Sequence, residues 1–177
     1  MTHREKLRED LHTIFRAALK AVDPREAIRA HVQRDGDHLR VGHRAYDLNA
    51  YTTLSVVGMG KASAAMAATL EELLGERISG GHVIVKYGHG EPLRRVTLHE
   101  AGHPIPDEAG VRAARTLIEF VKGRGPQELI ICLISGGGSA LSPAPSDGIT
   151  LTEKQEMTRM LLACGATIHE INALRKH

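Results

Sequence analysis

The sequence has 177 residues, 42% of them hydrophobic and 25% charged, with 23 Lys and Arg against 21 Asp and Glu for a net charge of +2. That composition belongs to a globular chain long enough to bury a core, and it excludes a disordered or collagen-like one. Aromatics are 3%, Trp is absent and no basic block occurs, so the stacking platform and charged stripe of a nucleic-acid binder are both missing.

Leu7, Leu11, Ile14, Phe15, Ala18, Leu19 and Val22 recur at helical spacing and predict a helix over residues 3–21, with Thr2 and Glu5 as a capping box. A short helical piece over 24–30 follows. Asp35-Gly36 then reads as the turn of a peripheral hairpin, with Leu39 and Val41 on one side. Thr53 to Val57 is a β-branched strand ending at Gly58, and Ala62, Ala65, Met66, Thr69, Leu70, Leu73 and Leu74 mark a helix. Gly80-Gly81 punctuates before a second strand, His82 to Val85, and Arg94 to Leu98 reads as a third. Asp107 caps a helix bearing Val111, Ala114, Leu117, Ile118 and Val121. Leu129 to Ile134 is apolar throughout, as a central parallel strand covered on both faces would be, with Cys132 in the core. Thr152 and Gln155 suggest a capping box for a helix carrying Met157, Met160 and Leu161. Gly165 breaks it before a last stripe of Ile168, Ile171 and Leu174. Strands alternating with helices predict an α/β fold: an open, mostly parallel sheet flanked by helices, a Rossmann-like three-layer arrangement.

Such sheets bind ligands beyond the carboxyl ends of their strands, where two glycine clusters fall. In Gly58-Met59-Gly60-Lys61-Ala62-Ser63, amide groups at a strand-to-helix junction can hold an anion, and Lys61 adds a positive charge. The segment is not a Walker loop, because Ser55 and Ala62 stand where that pattern needs Gly and Ser or Thr. Ser63 likewise replaces the third glycine of a dinucleotide fingerprint, although Lys86 could suit a 2′-phosphate. A tight turn with Lys61 in solvent is the plainer alternative. Ser135-Gly136-Gly137-Gly138-Ser139 can turn several N–H groups inward as a phosphate cradle, or it can be a surface loop. Prolines stiffen Ala101-Gly102-His103-Pro104-Ile105-Pro106-Asp107, where His103 either positions substrate or packs the loop. Arg175 can clamp a carboxylate or phosphate, but a solvated polar helix face is the plainer account.

The longest apolar run, Leu129 to Ile134, is far below the ~18 residues of a membrane span, and the start Met1-Thr2-His3-Arg4 has no signal-peptide character. Two cysteines give neither a disulfide framework nor a metal cluster. The expectation is a cytoplasmic protein with no membrane or nucleic-acid partner. Metal ligands and oligomeric state stay unassigned.

Five segments in order resemble the glycerate kinases that form 2-phosphoglycerate, a family whose older members are labelled hydroxypyruvate reductases. They are Val57 to Ser63, Val85 to His89, Glu100 to Asp107, Leu133 to Leu141 and Gly165 to His177. The resemblance implies transfer of the γ-phosphoryl group of ATP, with Mg²⁺, to the 2-hydroxyl of the small-molecule substrate D-glycerate. It implies Lys61 as the catalytic residue. Gly58, Gly60, Ser63, Ser135, Gly136, Gly137, Gly138 and Ser139 would bind phosphate or nucleotide, and His103 and Arg175 the substrate. Family members are longer and have two domains with the active site between them. The chain resembles their N-terminal part, with accessory helices and a hairpin over residues 1–50, the α/β core over 51–177 and the second domain absent. An unpaired sheet edge and inactivity in isolation are therefore expected. An NADPH-dependent hydroxypyruvate reductase and a non-catalytic phosphate-binding or assembly module are the alternatives.

Overall fold

The computed structural model describes residues 2–175. Helix α1 (His3–Ala21) carries the predicted capping box: the Thr2 hydroxyl accepts from the Glu5 N–H, and the Glu5 carboxylate accepts from the Thr2 N–H. Its apolar residues form one stripe, yet no residue of the helix is buried. Helix α2 (Pro24–His31) is capped by Asp23 and buries Ile28. Strands β1 (Val32–Asp35), β2 (His38–Val41) and β3 (Arg44–Asp47) form a small antiparallel sheet in that order, so the predicted hairpin gains a third strand. This sheet is less peripheral than expected. Leu39 is fully buried and joins Ile28, Val32 and Leu48 in the main core, while Val41 is exposed.

Strands β4 (Thr53–Met59), β5 (Ile78–Lys86), β6 (Val96–Ala101) and β7 (Glu128–Ile134) form a wholly parallel sheet in the order β6-β5-β4-β7. Successive side chains on a strand point to opposite faces, so each strand feeds two cores. On one face Val56 and Val83 meet Ala67, Leu70 and Leu74 of α3 (Ser63–Leu74). On the other, Val57 and Ile84 meet Ala113 and Leu117 of α4 (Glu108–Val121) and Leu141 of the short α5 (Gly138–Leu141). The result is the expected Rossmann-like α/β sandwich.

Two expectations about this sheet are corrected. Gly80 and Gly81 lie inside β5 instead of preceding it. The strands approach so closely there that a Cβ on Gly81 would sit 1.8 Å from the Val56 carbonyl oxygen, beside a register shift at Leu54 and Ser55. Strand β7 is an edge, not a central strand: among the described residues it pairs with β4 alone, Ile134 is 70% exposed, and Cys132 is exposed as well. A continuous apolar run identifies a strand but carries no information about whether a neighbour covers it.

Helix α6 (Leu151–Ala163) is capped two residues earlier than predicted, by Thr150 with Glu153. The Glu153 carboxylate accepts from both the amide and the hydroxyl of Thr150, a charged acceptor that the amide of Gln155 cannot match. Its buried residue is Thr158, whereas Met157 and Met160 are exposed. Gly165, in the left-handed region at φ 72°, separates α6 from α7 (Ile168–Arg175), which buries only Ile171. Cys164 is also exposed.

Candidate functional site

Numbering the strands of the parallel sheet from β4, their spatial order is third, second, first, fourth. The chain therefore runs outward from β4 in one direction and returns to its other side with β7, which makes the gap between the ends of β4 and β7 the switch point where such sheets hold ligands. Met59 and Ile134 are register partners, so the loops that follow them start side by side. Both glycine clusters predicted from sequence thus meet on one rim.

Those loops are fastened together. The Ser135 N–H donates to the Met59 carbonyl at 3.1 Å, the Lys61 N–H to the Gly136 carbonyl at 3.0 Å, and the Ala62 N–H to Ser135 Oγ at 3.0 Å. A Cβ on Gly60 would lie 2.2 Å from Ser135 Oγ, and the residue sits at φ 128°, so only glycine closes this clasp. The clasp changes the roles expected for the first cluster. With the Gly60 N–H on the Ile84 carbonyl and the Ser63 N–H on the Gly60 carbonyl, every amide from Gly60 to Ser63 already has an acceptor within the protein. Gly58 lies in β4, where a Cβ would press to 2.9 Å from Leu133, and the Ser63 side chain is fully buried with no partner for its hydroxyl. Open donors are found in the second cluster instead. Among the described residues no protein group accepts from the N–H of Gly136, Gly137, Gly138 or Ser139.

Gly137, in the left-handed region at φ 95°, is the focus of the site. A Cβ placed on it would lie 2.9 Å from His103 Cδ2, 3.0 Å from His103 Nε2 and 3.6 Å from Lys61 Cε. Lys61 is exposed and His103 half-buried, and both side chains lie beside Gly137. His103 stands in the loop after β6, and that loop is braced from several elements. Tyr87, just beyond β5, donates its hydroxyl to Asp107 at 2.7 Å, and Asp107 also accepts from the Gly110 N–H at 2.8 Å. Gln155 of α6 donates to the Pro106 carbonyl at 2.8 Å, and Arg175 of α7 to the Pro104 carbonyl at 3.2 Å. Partial burial is the largest influence on His103 and holds its imidazole below the ordinary histidine range. The positive charges of Lys61, Lys86, Arg175 and His89 push in the same direction.

The structure therefore gathers Lys61, Ser135, Gly136 to Ser139, His103 and Arg175 around one rim, with Gly58, Gly60 and Ser63 beneath it. Lys176 and His177, which end the fifth segment, lie outside the described residues. Sequence reasoning did not find the braces. Tyr87 with Asp107 and Gln155 with Pro106 join residues far apart in the chain, and no local pattern marks such pairs. Lys86 was noticed only for a different role. The open amides, the bare Gly137 and the surrounding cations fit the phosphate end of a nucleotide. A metal ion is a different matter: no group of three His, Cys, Asp or Glu among the described residues could hold one. No described helix is long and apolar enough to cross a membrane.

Residues 10–177 match the family model described as a domain of unknown function, DUF4147. A glycerate 2-kinase of Pyrococcus horikoshii is 38% identical over 90% of this chain and 36% of its own length. A protein of Agrobacterium vitis, provisionally named a hydroxypyruvate reductase, is 41% identical over 96% of this chain and 36% of its own. Among solved structures, a glycerate kinase from Thermotoga maritima superposes with a TM-score of 0.76 at 34% identity, covering 98% of this chain and 39% of that one. The chain spans little more than a third of the length of these relatives.

Proposed function

This chain belongs to the DUF4147 family of glycerate kinases, and on that premise we propose that it serves ATP-dependent transfer of the γ-phosphoryl group to the 2-hydroxyl of D-glycerate, giving 2-phosphoglycerate. The observation that carries the reading is the approach of the Lys61 side chain to Gly137, in a loop whose amides are open, at the switch point of the sheet. Phosphoryl transfer asks the protein mainly for positioning and for charge placed where the transferring oxygens carry theirs. Lys61 does the second of these. Gly136, Gly137, Gly138 and Ser139 hold phosphate oxygens, and Gly58, Gly60, Ser63 and Ser135 keep that loop in place. Arg175 and His103 border the substrate side. The family's Mg²⁺ finds no group of three His, Cys, Asp or Glu to hold it among the described residues.

A reductase reading is disfavoured by the same geometry. A dinucleotide pyrophosphate would dock on the amides that open α3, and those from Gly60 to Ser63 are already engaged by protein acceptors. We assign residues 51–177 to the α/β core of the kinase and residues 1–50 to accessory elements, of which α2 and the small sheet pack on that core and α1 does not. Because the chain matches little more than a third of its relatives, residues 1–177 alone are expected to give negligible turnover. A coupled assay with D-glycerate, ATP and Mg²⁺ tests both statements. In the protein that shows turnover, Lys61→Ala lowers kcat by about 10²–10³-fold. Unchanged kcat in that variant, or nicotinamide oxidation with hydroxypyruvate, would sink the kinase reading. Full turnover by residues 1–177 would sink the claim of inactivity alone, and ATP binding that never leads to transfer would favour a non-catalytic module.

A further inference from the structure

The candidate site holds Lys61 and open amides for phosphate, but neither removes the proton that a hydroxyl must lose when it becomes a phosphate ester. The carboxylates around the His103 loop are engaged elsewhere. Asp107 accepts from the Tyr87 hydroxyl and the Gly110 N–H, and Glu100 accepts from the Gly88 N–H at 2.8 Å. His103 is different. No hydrogen bond among the described residues engages its ring, and its Cδ2–Nε2 edge lies beside Gly137, which the Lys61 side chain also approaches.

Resting on the phosphotransfer reading above, we infer that His103 is the general base of the site, its Nε2 taking the proton from the acceptor hydroxyl. The substrate hydroxyl oxygen forms the new bond to the γ-phosphorus, and its proton passes to Nε2 to give an imidazolium. The bond from that phosphorus to the bridging oxygen breaks, and its electron pair leaves on the nucleoside diphosphate. The role requires the Nδ1–H tautomer, which leaves the Nε2 lone pair directed at the loop.

Geometry fits this assignment in two ways. The loop is braced by Tyr87, Gln155 and Arg175 from three separate elements, so the ring is held in place without its own nitrogens being used. The charges that face it, Lys61, Lys86, His89 and Arg175, are all cationic or can become so. Burial first, and these charges second, hold the imidazole below its ordinary range. An anion seated among them cancels part of that field and raises the affinity of Nε2 for a proton. The base therefore strengthens when phosphate-bearing substrate arrives.

Histidine-labelled chain 1–177 can be titrated by NMR with and without inorganic phosphate as the probe. The expected result is a His103 midpoint below the ordinary value in the free chain, rising by about one unit when phosphate perturbs the amides of residues 136–139. Lys61→Ala should abolish both changes together. Perturbed amides with an unmoved His103 midpoint would overturn the inference and leave the phosphate site standing; no perturbation at either place would overturn both. In the protein that shows turnover, the near-isosteric His103→Gln lowers kcat at neutral pH by about a hundredfold. It also removes the acid limb of the kcat profile while KM for D-glycerate changes less than threefold. Retention of wild-type kcat and of that limb in an otherwise active kinase would refute the role of His103 without touching the reaction.

Discussion

Gly137 shows how much of the site one missing methyl group can decide. A side chain there would meet the His103 ring and approach Lys61, and the residue is in a left-handed conformation that L side chains rarely adopt. Gly137→Ala is therefore expected to close the gap between base and lysine and to cost about 1–2 kcal/mol of stability. Loss of phosphate-induced amide shifts together with a lower melting temperature checks it. Ser63 presents the opposite case, a buried hydroxyl with no partner. Removing it leaves no donor or acceptor orphaned, so Ser63→Ala should stabilise the fold by up to about 1–2 kcal/mol in denaturant titration. At this scale the two glycine segments and Lys61 that the sequence singles out do meet on one rim, because a glycine run after a strand has a physical cause visible in one dimension. It could not show which amides remain open. That depends on the Gly136 carbonyl and the Ser135 hydroxyl reaching back to the turn after β4, a contact between segments more than seventy residues apart.

The elements are joined by polar devices as well as by their apolar faces. Glu71 on α3 accepts from the N–H groups of Arg94, Arg95 and Val96 at 2.7, 2.8 and 2.9 Å, tying the start of β6 to the helix that covers the sheet. Glu71→Ala leaves those donors without their acceptor and should destabilise the chain by about 2–3 kcal/mol, measured as a lowered denaturation midpoint with an unchanged m-value. Between β5 and β6 the rings of His82 and His99 share a hydrogen bond at 3.0 Å, and Phe120 of α4 packs on His82 edge-on, with Arg124 over the Phe120 ring. Burial lowers both histidines below their ordinary value, and the neighbouring His99 charge lowers His82 further. Unfolded, each titrates near about 6.5. Between that value and the lower folded one, the unfolded chain binds more protons, so stability falls as the pH drops below about 6.5 and levels off once the folded histidines are charged. Melting curves from pH 8 down to pH 5 should show this decline, and His99→Gln should flatten it. Helices and strands were largely legible from periodicity, and α1, α4 and α7 fall within a residue or two of expectation. The cap of α6 was missed because Thr152 and Gln155 offer the same pattern as Thr150 and Glu153, and only the stronger acceptor decides between them.

Across the whole molecule, burial is uneven. Both hydrophobic cores close around β4 and β5, while the apolar residues of α1, the end of β7 and much of α6 face outward. Periodicity predicted the α1 stripe, but an amphipathic pattern states that a face can be buried without naming the surface that receives it. Leu7, Leu11, Ile14, Phe15 and Leu19 are between 49% and 66% exposed, and the helix contributes no residue to either core. A helix held by its own cap and ladder alone gives little to the remainder of the chain. Removal of residues 1–22 should therefore shift the melting temperature of residues 23–177 by less than about 2 °C, since a loss of 1 kcal/mol moves a domain of this size by roughly 2–4 °C. Calorimetry at two protein concentrations makes the comparison. A drop of 5 °C or more at both would mean that the α1 stripe is covered within the folded chain, and a drop confined to the higher concentration would mean that it is covered between chains.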